Sequence, residues 1–130
     1  MYQSGMRRIE HIQKMRNTIL SYVSEQYGTE PEYLWAKTPD AAVIRHKGNN
    51  RWYGIIMNIP RKTLGLPGDG RIDILNVKCT PAVREVLLGE GRAFPAYHMN
   101  KQHWISLPLD GSLEESVIFS LIDESYELTK

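Results

Sequence analysis

The run AAVIRHKGNNRWYGIIMNI, residues 41–59, does most to limit what this chain can fold into. Two stretches rich in β-branched and aromatic residues flank KGNN, and Gly48, Asn49 and Asn50 all tolerate the positive φ that a tight hairpin turn demands. The reading is a pair of antiparallel strands. Side chains alternate between faces along a strand, so Tyr53, Ile55, Met57 and Ile59 form one row and Trp52 and Ile56 the other. The first row is expected to face the core. The second is only partly polar and calls for cover by a helix or a partner.

The rest of the chain supplies more strands and that helical cover. RIDILNVKC reads as a third strand, with Asp73, Leu75, Val77 and Cys79 in one row and Ile72 and Ile74 in the other; HWISLPL reads as a fourth. Between them TPAVREVLLGEG is a short helix. Thr80 caps it, Pro81 takes the first helical position where its missing N–H costs nothing, and Gly89 or Gly91 stops it. A first helix is set by Ile12, Met15, Ile19, Val23 and Gln26 or Tyr27, with Gly28 after it. In the last helix Ser112 and Glu115 make a capping box. Val117, Ile118, Leu121, Ile122 and Leu128 form its buried stripe, and Glu114, Glu115, Asp123, Glu124 and Glu127 fill the solvent side. TEPEYLWAKTPDA and PRKTLGLPGDG, with their prolines and glycines, are loops. The order describes an α+β domain: an N-terminal helix, a mainly antiparallel sheet, a short helix and a C-terminal helix. Its 130 residues suit one domain, with residues 1–6 irregular.

A single cysteine, Cys79, excludes an internal disulfide and fits a reducing compartment. No run resembles a signal peptide or approaches a membrane span, so a soluble cytoplasmic protein is expected. The net charge of +1 hides a polarity: residues 41–109 hold ten Lys/Arg against four Asp/Glu, whereas residues 110–130 hold one Lys against six acids. A basic middle suits a polyanion-binding face, and it suits equally a match with the acidic tail of the same molecule.

YGTEPEYLW, NNRWYGIIMNI, DILNVKC, FPAYHMNKQHW, and LDGS followed by LIDESYEL together resemble the MmcQ/YjbR family of small bacterial proteins, from Arg7 to Leu128. PAYHMNKQHW is the most specific of these strings, and Leu34 before Trp35 departs from the proline expected in many relatives. The resemblance implies a double-wing α/β sandwich, frataxin-like in architecture. Its hairpins are likened to the wings of DNA-binding proteins, which implies DNA binding. That implication rests on fold likeness, and fold does not fix function.

The residues offer three chemistries to weigh. For nucleic acid, Arg45, His46, Lys47 and Arg51 ring the hairpin tip, Trp52 and Tyr53 lie at its base, and Arg61, Lys62 and Arg71 follow in the next loop. The bland alternative is a solvated hairpin with Trp52 packed under a helix, and no base-reading motif is present. For metal, His98 and His103 lack the spacing of a ligand pair, with His11, His46 and Cys79 elsewhere. The first helix, with Arg7, Arg8, Lys14 and Arg16 against Glu10 and Glu25, is a poor platform for a hard cation. For catalysis, Cys79 precedes a helix N-terminus, but its strand row points inward, as for a small hydrophobe. The loop Tyr97, His98, Met99, Asn100, Lys101, His103 and Trp104 has two readings. One is a hydrogen-bonded corner pinned by histidine and asparagine with Lys101 and His103 outward; the other is a ligand or nucleic-acid surface. The expectation is a non-enzymatic domain without cofactor or metal. It would be a monomer off the membrane, contacting DNA non-specifically and salt-sensitively through Arg45, Lys47, Arg51 and Lys101. The alternative is an accessory module that binds a protein or a small ligand.

Overall fold

The computed structural model describes the backbone of residues 2–130 and the side chains of residues 14–130. The side chains of Arg7, Arg8, Glu10, His11 and Ile12 lie outside the described residues. Helix α1 spans Tyr2–Tyr27, followed by strands β1 (Ala42–Arg45) and β2 (Trp52–Pro60), a 3-10 turn at Arg61–Leu64, strand β3 (Arg71–Lys78), helix α2 (Pro81–Gly89), strands β4 (Phe94–Pro95) and β5 (Trp104–Pro108), and helix α3 (Glu115–Leu128). Residues 2–6, expected to be irregular, are part of α1. One glycine in the first turns, Gly5, costs about 1 kcal/mol and does not stop a helix that continues so far. The strands form one antiparallel sheet in the order β1-β2-β3-β5-β4.

All three helices pack on one face. Met15, Ile19 and Val23 of α1, Leu87 of α2, and Ile118, Leu121 and Ile122 of α3 meet Ile44, Ile56, Leu75, Val77, Ile105 and Leu107 of the sheet. Cys79 joins this core, and Ile72 and Ile74 face the other way, as the alternation in β3 requires. In β2 the row read from sequence is broken. Ile44 pairs with Gly54 and Arg45 with Trp52, so Tyr53 is an extra residue in a β-bulge. The bulge turns Tyr53 onto the helix face beside Ile56. Ile55, Met57 and Ile59, expected in the main core, lie with Trp52 on the opposite face. Trp52 is therefore not beneath a helix.

Several local signals act as read. Gly28, Asn50 and Gly91 take positive φ, and the Thr80 hydroxyl accepts from the Val83 N–H with Pro81 at the start of α2. The C-terminal helix differs. It begins after Glu114, without a side-chain cap, and Ser112 instead gives its N–H to Asp110 in the preceding turn, so the capping box does not form. Leu128 is 39% exposed while Ser125 is buried. The Ser125 hydroxyl donates to the Tyr53 carbonyl and accepts the Lys78 N–H, so the bulge and β3 draw that face of the helix inward. Asp123 faces α1, where Tyr22 (2.7 Å) and Tyr27 (2.5 Å) both donate to it. Burial and then this carboxylate push the Tyr22 hydroxyl up to about 12 and raise Tyr27 as well.

Among the described residues no α-helix covers the second face. It carries Val43, Ile55, Met57, Ile59, Ile72 and Ile74, approached by loops and by Leu64 of the 3-10 turn. Both sheet edges are only partly covered. Glu32 exchanges two backbone hydrogen bonds with Val43 outside β1, and the far edge is the two-residue β4, which contains Pro95.

Candidate functional site

Asn76 and Ser106 face each other across β3 and β5 and are fully buried on the helix-free side. The Ser106 hydroxyl donates to Asn76 Oδ1 (2.5 Å) and accepts the Tyr97 N–H (3.1 Å), while Asn76 Nδ2 donates to the Tyr97 carbonyl (2.9 Å). Two side chains of the sheet thus satisfy both backbone groups of Tyr97, and buried backbone groups need such partners. The chain leaving β4 is thereby held across the open face. Lys101 Nζ reaches back to the Ala96 carbonyl (3.0 Å). Asn100 Oδ1 takes the Gln102 N–H (2.9 Å), and the Asn100 carbonyl takes those of His103 and Trp104. Asn100 is thus a pin of this corner, as expected. His98 is not: its φ of 60° sets the ring against Tyr97, at 3.9 Å between centroids, and it enters none of the hydrogen bonds found among the described residues. Lys101 is exposed, but its ammonium turns inward; His103 is exposed and Trp104 half-buried.

This loop is one wall of a cleft of about 640 Å³. Tyr97, His98 and Met99 form that wall, Ile55, Met57 and Ile59 the floor, and the segment 35–41 the opposite wall. Trp35 of that segment meets Trp52 edge to face at 5.8 Å. Arg16 on α1 steadies the segment by donating to the Asp40 carbonyl (2.6 Å) and pairs with Asp73 at 3.3 Å. The volume falls within the roughly 300–1,000 Å³ of small-molecule sites, and the lining is of their kind: mostly apolar and aromatic, with a few polar groups.

The basic residues read as a nucleic-acid surface divide between two ends of the sheet. Arg45 is clasped by Glu32 through two bonds of 2.5 Å. That contact holds the Glu32 carboxyl below its usual range and raises Arg45. His46 is buried, its Nε2 at 2.8 Å from the Thr129 hydroxyl, and burial lowers its pKa. Lys47 is exposed, and Arg51 donates to the Lys130 carbonyl (3.4 Å). Lys101 and His103 precede β5 at this same end, since Trp104 pairs with Lys78. Arg61, Lys62 and Arg71 lie at the other end, about 25–30 Å away along β2. Arg61 donates to the Pro67 carbonyl there (3.1 Å). Lys47 and Lys130 border a smaller cavity of about 290 Å³ near the C-termini of α1 and α3. Cations at those ends complement two helix dipoles, which accounts for them without a ligand.

Cys79 is 2% exposed, and burial raises its thiol pKa, the reverse of what a nucleophilic thiolate needs. Among the described residues no group of three or more His, Cys, Asp or Glu gathers to hold a metal ion. The residues that sequence reasoning missed are Trp35, Ile55, Met57 and Ile59. The available signal was Tyr33-Leu34-Trp35, three large apolar side chains in an irregular segment, all exposed here.

A family model described as YjbR matches residues 24–128. The chain is 47% identical over 115 residues to YyaQ of Bacillus subtilis, a protein called uncharacterised, covering 88% of this chain and 98% of that one. A crystal structure of a Pseudomonas syringae protein matches with a TM-score of 0.80 and 41% identity over 88% of this chain and 98% of that one. A Deinococcus radiodurans protein, at 22% identity over 86% of this chain and 75% of its own, shares the fold with a TM-score of 0.65.

Proposed function

The chain belongs to the YjbR family, and we propose that it is a non-enzymatic binding module whose site is the cleft on the helix-free face of the sheet. The observation that carries this reading is the wall formed by Tyr97, His98 and Met99, held over an apolar floor by the buried Asn76–Ser106 pair. Two buried polar groups serve to keep a loop over a face that it does not fill. The concave shape and size favour a small molecule over a flat macromolecular surface. The test is a thermal-shift screen of small molecules on the wild type and on Trp52→Ala. A ligand at about one hundred times its Kd adds about 2.7 kcal/mol, a shift of several degrees. Compounds that stabilise the wild type and lose that effect on Trp52→Ala support the reading; shifts that survive Trp52→Ala, or their absence across the screen, refute it.

A second reading, DNA binding at the hairpin end, is favoured by one observation: Lys47, Arg51, Lys101 and His103 lie at the same end of the sheet, β2 and β5 being about 10 Å apart there. Anisotropy of a labelled duplex should then show affinity falling with salt at a log–log slope of about −0.9 per phosphate contacted. Replacing Lys47 and Arg51 with alanine should reduce that slope while leaving cleft ligands bound. Absence of binding at low salt ends this reading.

A further inference from the structure

Beyond its apolar floor, the cleft has a rim with a definite charge pattern. Arg71 stands at the start of β3, where it donates through Nε to Asn58 Oδ1 (2.6 Å) and through Nη2 to the Asn58 carbonyl (2.8 Å). These bonds fix the plane of the guanidinium and leave Nη1 without a partner among the described residues. Lys37 lies on the facing segment and enters no hydrogen bond or ion pair among the described residues. Asp40 is the one acid in the lining. The entrance therefore offers one pre-oriented cation and one cation without a partner among the described residues, against a single carboxylate. Below it, the Trp35–Trp52 edge-to-face pair, Tyr97 and Met57 offer ring and thioether surfaces of the kind that pack against a flat aromatic ring.

We propose that the cleft selects a planar aromatic small molecule bearing an anionic group, with the ring system over Met57 and Trp52 and the anion at Arg71 and Lys37. Placing the ring within the cleft removes apolar surface from water on both partners. An anion at the rim takes a charge-assisted hydrogen bond from a guanidinium that is already held in place, so little side-chain freedom is lost on binding. This inference rests on the cleft being a binding site, and two probes separate the claims. 1-Anilinonaphthalene-8-sulfonate carries the ring system and the anion; N-phenyl-1-naphthylamine carries nearly the same rings without charge. Each is titrated by fluorescence into the wild type, Arg71→Gln, Lys37→Gln and Trp52→Ala, with circular dichroism as the check on folding.

Arg71→Gln is expected to weaken the sulfonate about fivefold to tenfold and the neutral probe less than twofold. Lys37→Gln, on a separate loop, should act in the same direction to a smaller degree. Trp52→Ala should weaken both probes. If both probes bind and both charge variants leave the sulfonate unchanged, the selection for an anion is overturned while the cleft stands as a site. If Trp52→Ala leaves both probes unchanged, the cleft itself is overturned. Absence of both probes from a chain that light scattering shows to be dimeric would assign the face to a second copy and overturn both claims.

Discussion

Asn76 sits at 0% exposure with its amide and carbonyl both engaged, which makes it the residue on which the cleft wall depends. Asn76→Ala would strand the Tyr97 carbonyl and the Ser106 O–H donor in a buried site. The expected cost is about 1–3 kcal/mol by urea unfolding, with weaker binding of cleft ligands in parallel. His46 gives a second test at this scale. Burial first, then the cationic Lys130 and Arg51, lower its pKa from 6.5, against the Tyr126 carbonyl and Glu127, which raise it. The folded state therefore favours neutral imidazole. Its contribution to stability is fully present above the unfolded value of 6.5 and is lost as pH falls through the lower folded value. Unfolding free energy measured from pH 7.5 down to pH 5 should decline, and His46→Gln should flatten that decline. Neither role was legible in sequence. Asn76 carried no signal and His46 read as part of the basic hairpin tip, because their partners, Tyr97 and Thr129, lie far along the chain.

The hairpin shows what alternation conveys and where it fails. Turn chemistry at Asn50 and the row assignments in β3 followed from local rules, since each depends on neighbours in the chain. The bulge at Tyr53 depends on the pairing with β1, and one extra residue reassigns Ile55, Met57 and Ile59 to the open face. The same misreading hid the cleft floor. Gly54 is the residue that permits the close approach here: a Cβ at that position would come within 2.8 Å of Ile44 Cδ1, in a fully buried side chain. Gly54→Ala is expected to cost about 1–3 kcal/mol in chemical denaturation, the range for overpacking a core. The helix ends teach a related lesson. Thr80 forms its cap through the Val83 N–H, whereas Ser112 is drawn into the turn with Asp110 and leaves α3 to begin at Glu115.

For the molecule as a whole, the helices on one face and the loops on the other set the division of labour. The helix face closes a core around Tyr53, Ile56, Leu75 and Ile105, and the opposite face is left with an apolar floor that two loops border without filling. Loops bury Val43, Ile55, Ile59, Ile72 and Ile74 on that face, and the cleft is the gap between those loops. The α+β layering was legible from the order and periods of the elements, and the family resemblance from the strings that now prove to be hairpin, wall and helix. The position of the cleft was not, because it joins residues 35–41, 55–60 and 97–99, which only the folded topology brings together. The most direct test of this account follows the backbone amides by ¹H–¹⁵N NMR while 1-anilinonaphthalene-8-sulfonate is added. The account predicts shifts concentrated in those three segments and at Arg71. Shifts concentrated instead at the hairpin turn, residues 47–51, would contradict it.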